Sequence, residues 1–316
     1  VENARDIFAI AGPTASGKTA LAVELALHLG DAEIINFDSV QVYDKIEIAT
    51  AKPTIEEMKG VPHHLIGYID PSVNCTAADW ARDAYEKIHD IESRGKTVIL
   101  VGGTGFYLRT LRQPLFEGPS TDPEIRNRLL ELKEEKGAEH LHGILARVDA
   151  KAADAIPPAD FIRTTRALEV YFQTGRKISE VRVERGPAPE FSSRIKLVVL
   201  DPPRELLYER INVRAALHFE KGLVDEVRAL LADGISESSS ALGAHGYRRV
   251  CEYLRGERSL ESAVEKTQQN VRNYAKRQIT WFKKENPELW LTGFGDATET
   301  QAELFKWLSG HRSSAT

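Results

Sequence analysis

The sequence predicts an α/β fold: a parallel sheet flanked by helices, interrupted by an all-helical insertion. Three observations lead there. Short apolar, β-branched runs recur between helical stretches, as buried parallel strands do. The first, Ile7-Phe8-Ala9-Ile10-Ala11, runs into Gly12-Pro13-Thr14-Ala15-Ser16-Gly17-Lys18-Thr19 and then the Ala/Leu-rich stretch Ala20 to Ala26, a strand–loop–helix order. From about Ser120 to Pro189 strand signals vanish and charged helical patterns take over.

The loop fits G-x-x-x-x-G-K-[ST], so the sheet is expected to be of the P-loop type. Gly12 and Gly17 let the backbone bend around an anion with no Cβ in the way. Pro13, Thr14, Ala15 and Ser16 carry the chain around it, and the freed N–H groups and the helix N-terminus point inward. Lys18 supplies a mobile positive charge and Thr19 a hydroxyl for Mg²⁺. The bland alternative is a Gly-rich turn capped by Thr. The strand and helix on either side favour a phosphate or diphosphate site.

A chain of 316 residues suits two domains, or one α/β domain with an insertion. The expected division is a core of 1–119 with 190–316, and an insertion of 120–189. Such a length buries a full core without staples. Cys75 and Cys251 belong to no C-x-x-C or Cys/His cluster, which argues against a disulfide framework and a zinc site. No apolar run approaches the ~18 residues of a membrane span, and no signal-peptide pattern precedes the first strand. A cytoplasmic protein without membrane contact is expected, and a monomer. The net charge of −5 means that any nucleic-acid site must be a local basic patch.

Taken in order, Ala32 to Phe37 reads as a second strand and ends at Asp38-Ser39-Val40-Gln41. A carboxylate just beyond a parallel strand lies where open α/β folds bind ligands. Asp38 can take a proton, hold Mg²⁺ through water, or cap the following turn. Gln41 can read a base edge, or be an ordinary surface residue. His63 and His64 are adjacent, so on a strand they point to opposite faces, which favours structural histidines over metal ligands. Ala77 to Arg94 has helical spacing, and Thr97 to Val101 is a buried strand. That strand ends in Gly102-Gly103-Thr104 rather than the carboxylate that ends a comparable strand in many nucleotide hydrolases. The glycines allow close approach of a ligand beside the Thr104 hydroxyl; a tight turn capped by Thr fits equally.

In the insertion, helices are expected over Asp122–Lys136, Gly137–Val148, Ala150–Ile156 and Asp160–Thr174. Arg126 opens the region, and Arg163 and Arg166 share a face. Solvated charge is the default for each, an RNA-phosphate grip the sharper alternative. Arg194 to Leu200 returns to strand, and Asp201 opens a helix on which Arg210 and Arg214 face one way. They can clamp a diphosphate beside Lys18, or pair with neighbouring acids. Ala244 to Arg248 reads as a Gly-containing turn, Glu261 to Lys284 as a long helix, Leu289 to Leu291 as a short strand, and the remainder as a polar tail. Arg272 to Lys284 contains no acid, which makes it the best nucleic-acid footprint in an acidic chain. Its aromatics, Tyr274, Trp281 and Phe282, are expected to face the core.

The ordered set of Gly12–Thr19, Asp38-Ser39-x-Gln41-Val42-Tyr43, Thr50-Ala51-Lys52-Pro53, Val61-Pro62-His63-His64, Gly102-Gly103-Thr104, Arg166-Ala167-Leu168-Glu169 and Ala275-Lys276-Arg277-Gln278-x-Thr280-Trp281-Phe282 resembles the bacterial tRNA dimethylallyltransferases. The resemblance spans about Ile7 to Leu291. It implies transfer of a dimethylallyl group from dimethylallyl diphosphate to N6 of the adenine at tRNA position 37. On this resemblance Asp38 matches the general base and Thr104 an adenine contact, while Lys18, Thr19 with Mg²⁺, and Arg210 or Arg214 stabilise the leaving diphosphate. The tRNA anticodon stem-loop would be held by Asp38, Ser39, Val40, Gln41 and Thr104 at the flipped base. Further contacts would come from Arg126, Ile162, Arg163, Thr164, Thr165 and Arg166, from His245, Gly246, Tyr247 and Arg248, and from Lys276, Arg277, Gln278 and Lys283. Two departures touch the RNA contacts: Pro157-Pro158-Ala159-Asp160-Phe161 replaces the more usual His-Pro-Asn-Asp, and Ala244-His245 precedes Gly246. The competing classes are a nucleotide kinase or an enzyme prenylating free AMP, and a pure RNA-binding module. The insertion and the acid-free segment argue against the first, the phosphate loop against the second.

Overall fold

The computed structural model describes residues 5–116 and 118–313. Its centre is a six-stranded sheet in the order β3-β2-β4-β1-β5-β6, with every pairing parallel. The strands are β1 (Ile7–Ala11), β2 (Ala32–Asn36), β3 (His63–His64), β4 (Thr97–Gly102), β5 (Ile195–Leu200) and β6 (Leu289–Leu291). β1, β2 and β4 are buried along their whole length, because helices cover both faces. One face packs Ile7, Ala9, Ile35 and Leu100 on Trp80 and Ile88; the other packs Phe8, Ile10 and Ile34 on Leu21 and Leu25.

The helices α1 (Lys18–Leu29), α2 (Ile55–Met58), α3 (Ala77–Ser93) and α4 (Gly105–Arg112) alternate with the first strands. α3 starts where the sequence demands, at a Thr76/Asp79 capping box. α4 is a finding: Thr104 leads straight into a helix that buries Tyr107, Leu108 and Leu111.

Two compact units emerge, one of residues up to Arg112 with those from Glu190 on, the other Gln113–Pro189. The second starts at Gln113 rather than 120, because Phe116 already packs on its core. Its elements are α5 (Pro123–Lys136), α6 (Ala138–Val148), α7 (Ala150–Ala155), α8 (Phe161–Thr174) and the short α9 (Ile178–Val181). Leu141, Leu145 and Leu168 form its core, and Asp122, Asp149 and Asp160 cap its helices.

After β5 come α10 (Arg204–Glu220), α11 (Leu223–Ala232), α12 (His245–Leu254), α13 (Leu260–Phe282) and α14 (Thr298–Ser313). Two expectations are corrected here. The stretch from Ala244 to Arg248 is the cap and first turn of α12, not an isolated turn. The tail is the helix α14, whose Leu304 and Leu308 lie one turn apart and are buried against the β1/α1 face, with Trp307 edge-on to Phe8.

Candidate active site

Three adjacent strands deliver the predicted residues to one edge. β1 lies beside β4 with Ala11 opposite Gly102, and β2 lies beside β4 with Asn36 opposite Val101. The phosphate loop, Asp38 and Thr104 therefore all emerge at the carboxyl ends of neighbouring strands, where parallel sheets hold ligands.

The loop has the backbone of an anion cradle. Gly12, Ala15 and Gly17 all have positive φ, at 149°, 66° and 84°. Gly17 tolerates nothing larger, since a Cβ there would sit 2.8 Å from Gly295 N. Lys18 Nζ donates to Pro13 O at 2.7 Å, and Arg214 donates to the Thr14 hydroxyl. Burial pushes the Lys18 ammonium down to about 8, opposed by the Asp38 charge and assisted by Arg214. Burial likewise lowers Arg214, again against Asp38. Two cations are thus held close together in a poorly solvated place, which an anion relieves. The Ser16 hydroxyl is buried without a partner among the described residues, and Thr19 lies half-buried at the start of α1. Arg210 separates from Arg214: its guanidinium donates to Asp296 at 2.9 and 3.0 Å and lies 3.6 Å over the Phe294 ring. Of the pair, Arg214 is the one that bonds to the loop itself, while Arg210 is held by Asp296, whose carboxylate lies against Gly17.

Asp38 caps the turn that follows it. Oδ1 accepts from Val40 N–H at 2.9 Å and Gln41 N–H at 3.3 Å, which fixes the carboxylate. Among the described residues no donor reaches Oδ2, so one oxygen remains open for a proton. Ser39 N–H donates to the Thr104 hydroxyl at 3.0 Å, which in turn donates to Ser39 Oγ at 3.3 Å, tying the ends of β2 and β4. Gln41 spends its side-chain NH₂ on the carbonyls of Thr50 and Ala51, at 3.0 and 2.8 Å, leaving its oxygen for a base. The glycines after β4 do not make room for a ligand. Phe37 fills the space beside Gly102, Gln278 that beside Gly103, and Trp281 that beside Gly105.

Several expected RNA contacts are repositioned. Gln278 is 4% exposed and bridges Thr14 to Gly103, so it belongs to the site's framework rather than its surface. Tyr247 is fully buried, with its hydroxyl donating to Glu226 and accepting from Ala49 N–H, while Gly246 packs on Leu223 and Ala49. Thr164 and Thr165 are buried in the helical unit. Side chains packed inward offer no atom to a phosphate. Arg126 and Arg166 both pair with the buried Glu169, and Arg166 also donates to Pro119 O at 2.7 Å. Ile162 and Arg163 remain exposed, Arg163 beside the capping Asp160. Arg248 also stays exposed; His245 is half-buried and kept neutral, its pKa lowered to about 4 by burial and by Arg277 and Arg249.

On α13 the outward Lys276 and Arg277 line a groove of about 560 Å³ with Lys284 and Arg109, whose guanidinium lies 4.1 Å over Trp281. Lys283 is exposed near Asp201. Arg109 was not legible as part of this patch, because it comes from α4. Tyr274 faces inward as its spacing predicts, and what the spacing does not show is that it meets the side chains of Thr104 and Gln278 and the charge of Asp38 there. Its ring lies 5.1 Å from that of His245. The His63–His64 pair is split between partners, His63 Nδ1 with Val61 O and His64 Nε2 with Glu33, each at 2.8 Å.

Residues 41–285 match the family model described as IPP transferase. Among curated relatives, the tRNA dimethylallyltransferase of Solibacter usitatus is 46% identical, over 93% of this chain and 94% of its own. That of Geobacter metallireducens is 48% identical, over 89% and 91%. Among solved structures, the full-length tRNA isopentenylpyrophosphate transferase of Bacillus halodurans superposes with a TM-score of 0.71 at 37% identity, covering 97% of this chain and 96% of that one. A eukaryotic dimethylallyltransferase acting on tRNA superposes with a TM-score of 0.74 at 29% identity, over 91% and 74%. With a phosphate loop, an open carboxylate and a hydroxyl gathered at one sheet edge, and with relatives alike from end to end, the chain belongs to the IPP transferase family.

Proposed function

We propose that this protein transfers the dimethylallyl group of dimethylallyl diphosphate to the exocyclic N6 of adenine 37 in tRNA. The observation that carries this reading is the meeting of Asp38, Thr104, Lys18 and Arg214 at the ends of three neighbouring strands. An amine conjugated to a purine is a weak nucleophile. It needs a base, and a carbon whose leaving group is already stabilised. In the proposed step the N6–C1 bond forms, the C1–O bond breaks, the N6 proton passes to Asp38 Oδ2, and diphosphate departs. Lys18 and Arg214 receive the charge that develops on the departing oxygens, in a place where burial strengthens the attraction. Thr104 and the free oxygen of Gln41 hold the adenine edge.

The loop also suits Mg²⁺. That ion keeps few protein ligands and takes substrate phosphate oxygens instead. Thr19 would supply a hydroxyl oxygen, and the described residues contain no cluster of three or more acidic, His or Cys side chains that would cage a cation alone. Mg²⁺ bound there would neutralise the diphosphate as it leaves. Lys276, Arg277 and Lys283, with Ile162 and Arg163 of the helical unit, are assigned to the anticodon stem-loop. No helix among the described residues is long and apolar enough to cross a membrane.

The test is mass spectrometry of tRNA nucleosides after incubation with dimethylallyl diphosphate and Mg²⁺. A prenylated adenosine is expected. Its absence, together with phosphate transfer from ATP, would move the assignment to a nucleotide kinase.

A further inference from the structure

Gln278 stands on the helix whose outer side carries Lys276 and Arg277, yet its own side chain points into the protein. Its two ends do different things. Oε1 accepts from Thr14 N–H, in the phosphate loop, at 2.8 Å. Nε2 donates to Gly103 O, next to Thr104, at 3.0 Å. The contact with Gly103 depends on there being no side chain, since a Cβ there would fall 2.1 Å from Nε2. Thr14 is held a second time by Arg214, through its hydroxyl. One amide therefore spans the gap between the turn that carries the anion donors and the turn that carries the adenine contact.

We infer that Gln278 is a positioning residue that sets the spacing between the leaving diphosphate and the attacking adenine. This rests on the reading of the loop and of Thr104 proposed above. Neither end of the amide is required for a substrate to bind. Lys18, Arg214 and the remaining loop donors still face the diphosphate, and the RNA meets the outer face of α13. What Gln278 controls is whether the two reacting atoms lie at attack distance. Misplacement by about 1 Å can cost on the order of 100-fold in rate. Asn is too short to span both turns, and Met or Leu matches the bulk with no polar atoms for Thr14 N–H or Gly103 O.

The test uses the full chain with tRNA, dimethylallyl diphosphate and Mg²⁺. Gln278→Met removes both bonds at similar volume. Gly103→Ala displaces Nε2 and leaves the Gln278 amide chemically intact. Both variants are expected to lower kcat by about 10- to 100-fold. Affinities for inorganic diphosphate and for tRNA should stay within about threefold of the parent. The double variant should lose little more than either single one, because both break the same bridge. Unchanged kcat in Gln278→Met overturns the inference. So does a loss of diphosphate and tRNA affinity that matches the loss of rate, or a missing cooperative thermal transition, since those outcomes mark a purely structural residue. If the parent protein itself makes no prenylated adenosine, the proposed function fails first and the inference with it. If the parent is active and the variants are not impaired, only the inference fails.

Discussion

Two glycine-bearing turns leave neighbouring strands of the same sheet, and they serve opposite ends. The turn after β1 holds Gly12, Ala15 and Gly17 at positive φ and keeps the cations Lys18 and Arg214 close by. The turn after β4 is just as glycine-rich, but its glycines have no positive φ, and Phe37, Gln278 and Trp281 occupy the space beside Gly102, Gly103 and Gly105. Glycine in the first turn allows the positive φ that curls the loop, and protein fills the adjoining space there as well: a Cβ on Gly12 would lie 2.8 Å from Leu200 O, and one on Gly17 2.8 Å from Gly295 N. Glycine in the second lets a helix from the far end of the chain come close enough to brace it. Composition cannot separate the two; backbone conformation does.

Asp38 lies at the end of β2, beside the turn after β4, and its loss should have the largest effect. Asp38→Ala is expected to lower prenyl transfer by about 100- to 10,000-fold. Filter binding should find tRNA affinity nearly unchanged, and normal turnover would remove Asp38 from its role. Next is the outer face of α13, which the bracing leaves free. Lys276→Glu with Arg277→Glu should weaken tRNA binding and reduce the slope of log affinity against log salt by about 1 to 2 units. An unaltered slope would place the footprint elsewhere.

The two turns can then be set against each other. In the second, Gly102→Ala drives a Cβ to 2.5 Å from the Phe37 carbonyl oxygen. Denaturant unfolding should show a loss of about 1–3 kcal/mol, and calorimetry should show diphosphate affinity little changed. In the first, diphosphate affinity should depend on pH. Lys18 has its pKa lowered to about 8, so the cation that attracts the anion is lost as pH rises through that value. Between pH 7 and 9 this contribution should fall by about tenfold; constant affinity would show that Lys18 does not face the anion. The smallest effect is expected at Arg210, whose pairing with Asp296 is half-exposed. Arg210→Ala should change stability by less than about 1 kcal/mol and the rate far less than Arg214→Ala.

The comparison also marks how much of the site can be read in advance. The loop, Asp38 and Thr104 are legible because each follows a buried strand directly, and in a parallel sheet all strand ends share an edge. The sequence reads α14 as a polar tail, because its two buried leucines form a face only against the β1/α1 surface. On α13 the spacing marks Tyr274 for the core and the basic run marks Gln278 for RNA. The structure buries Gln278 between Thr14 and Gly103 instead, and places the inward-facing Tyr274 beside Thr104.

The sequence by itself determined the strand–loop–helix cradle, the carboxylate beyond β2, the helical character of the insertion and the basic run on α13. These depend on local backbone preference, on period and on charge, which neighbours in the chain carry. Only the tertiary structure decided which arginine reaches the loop, which face of α13 turns inward and what fills the glycine turn after β4. Those are contacts between residues as far apart as Thr14 and Gln278, 264 positions along the chain. Helix periodicity says which residues share a face, but the packing of the whole core decides where that face points.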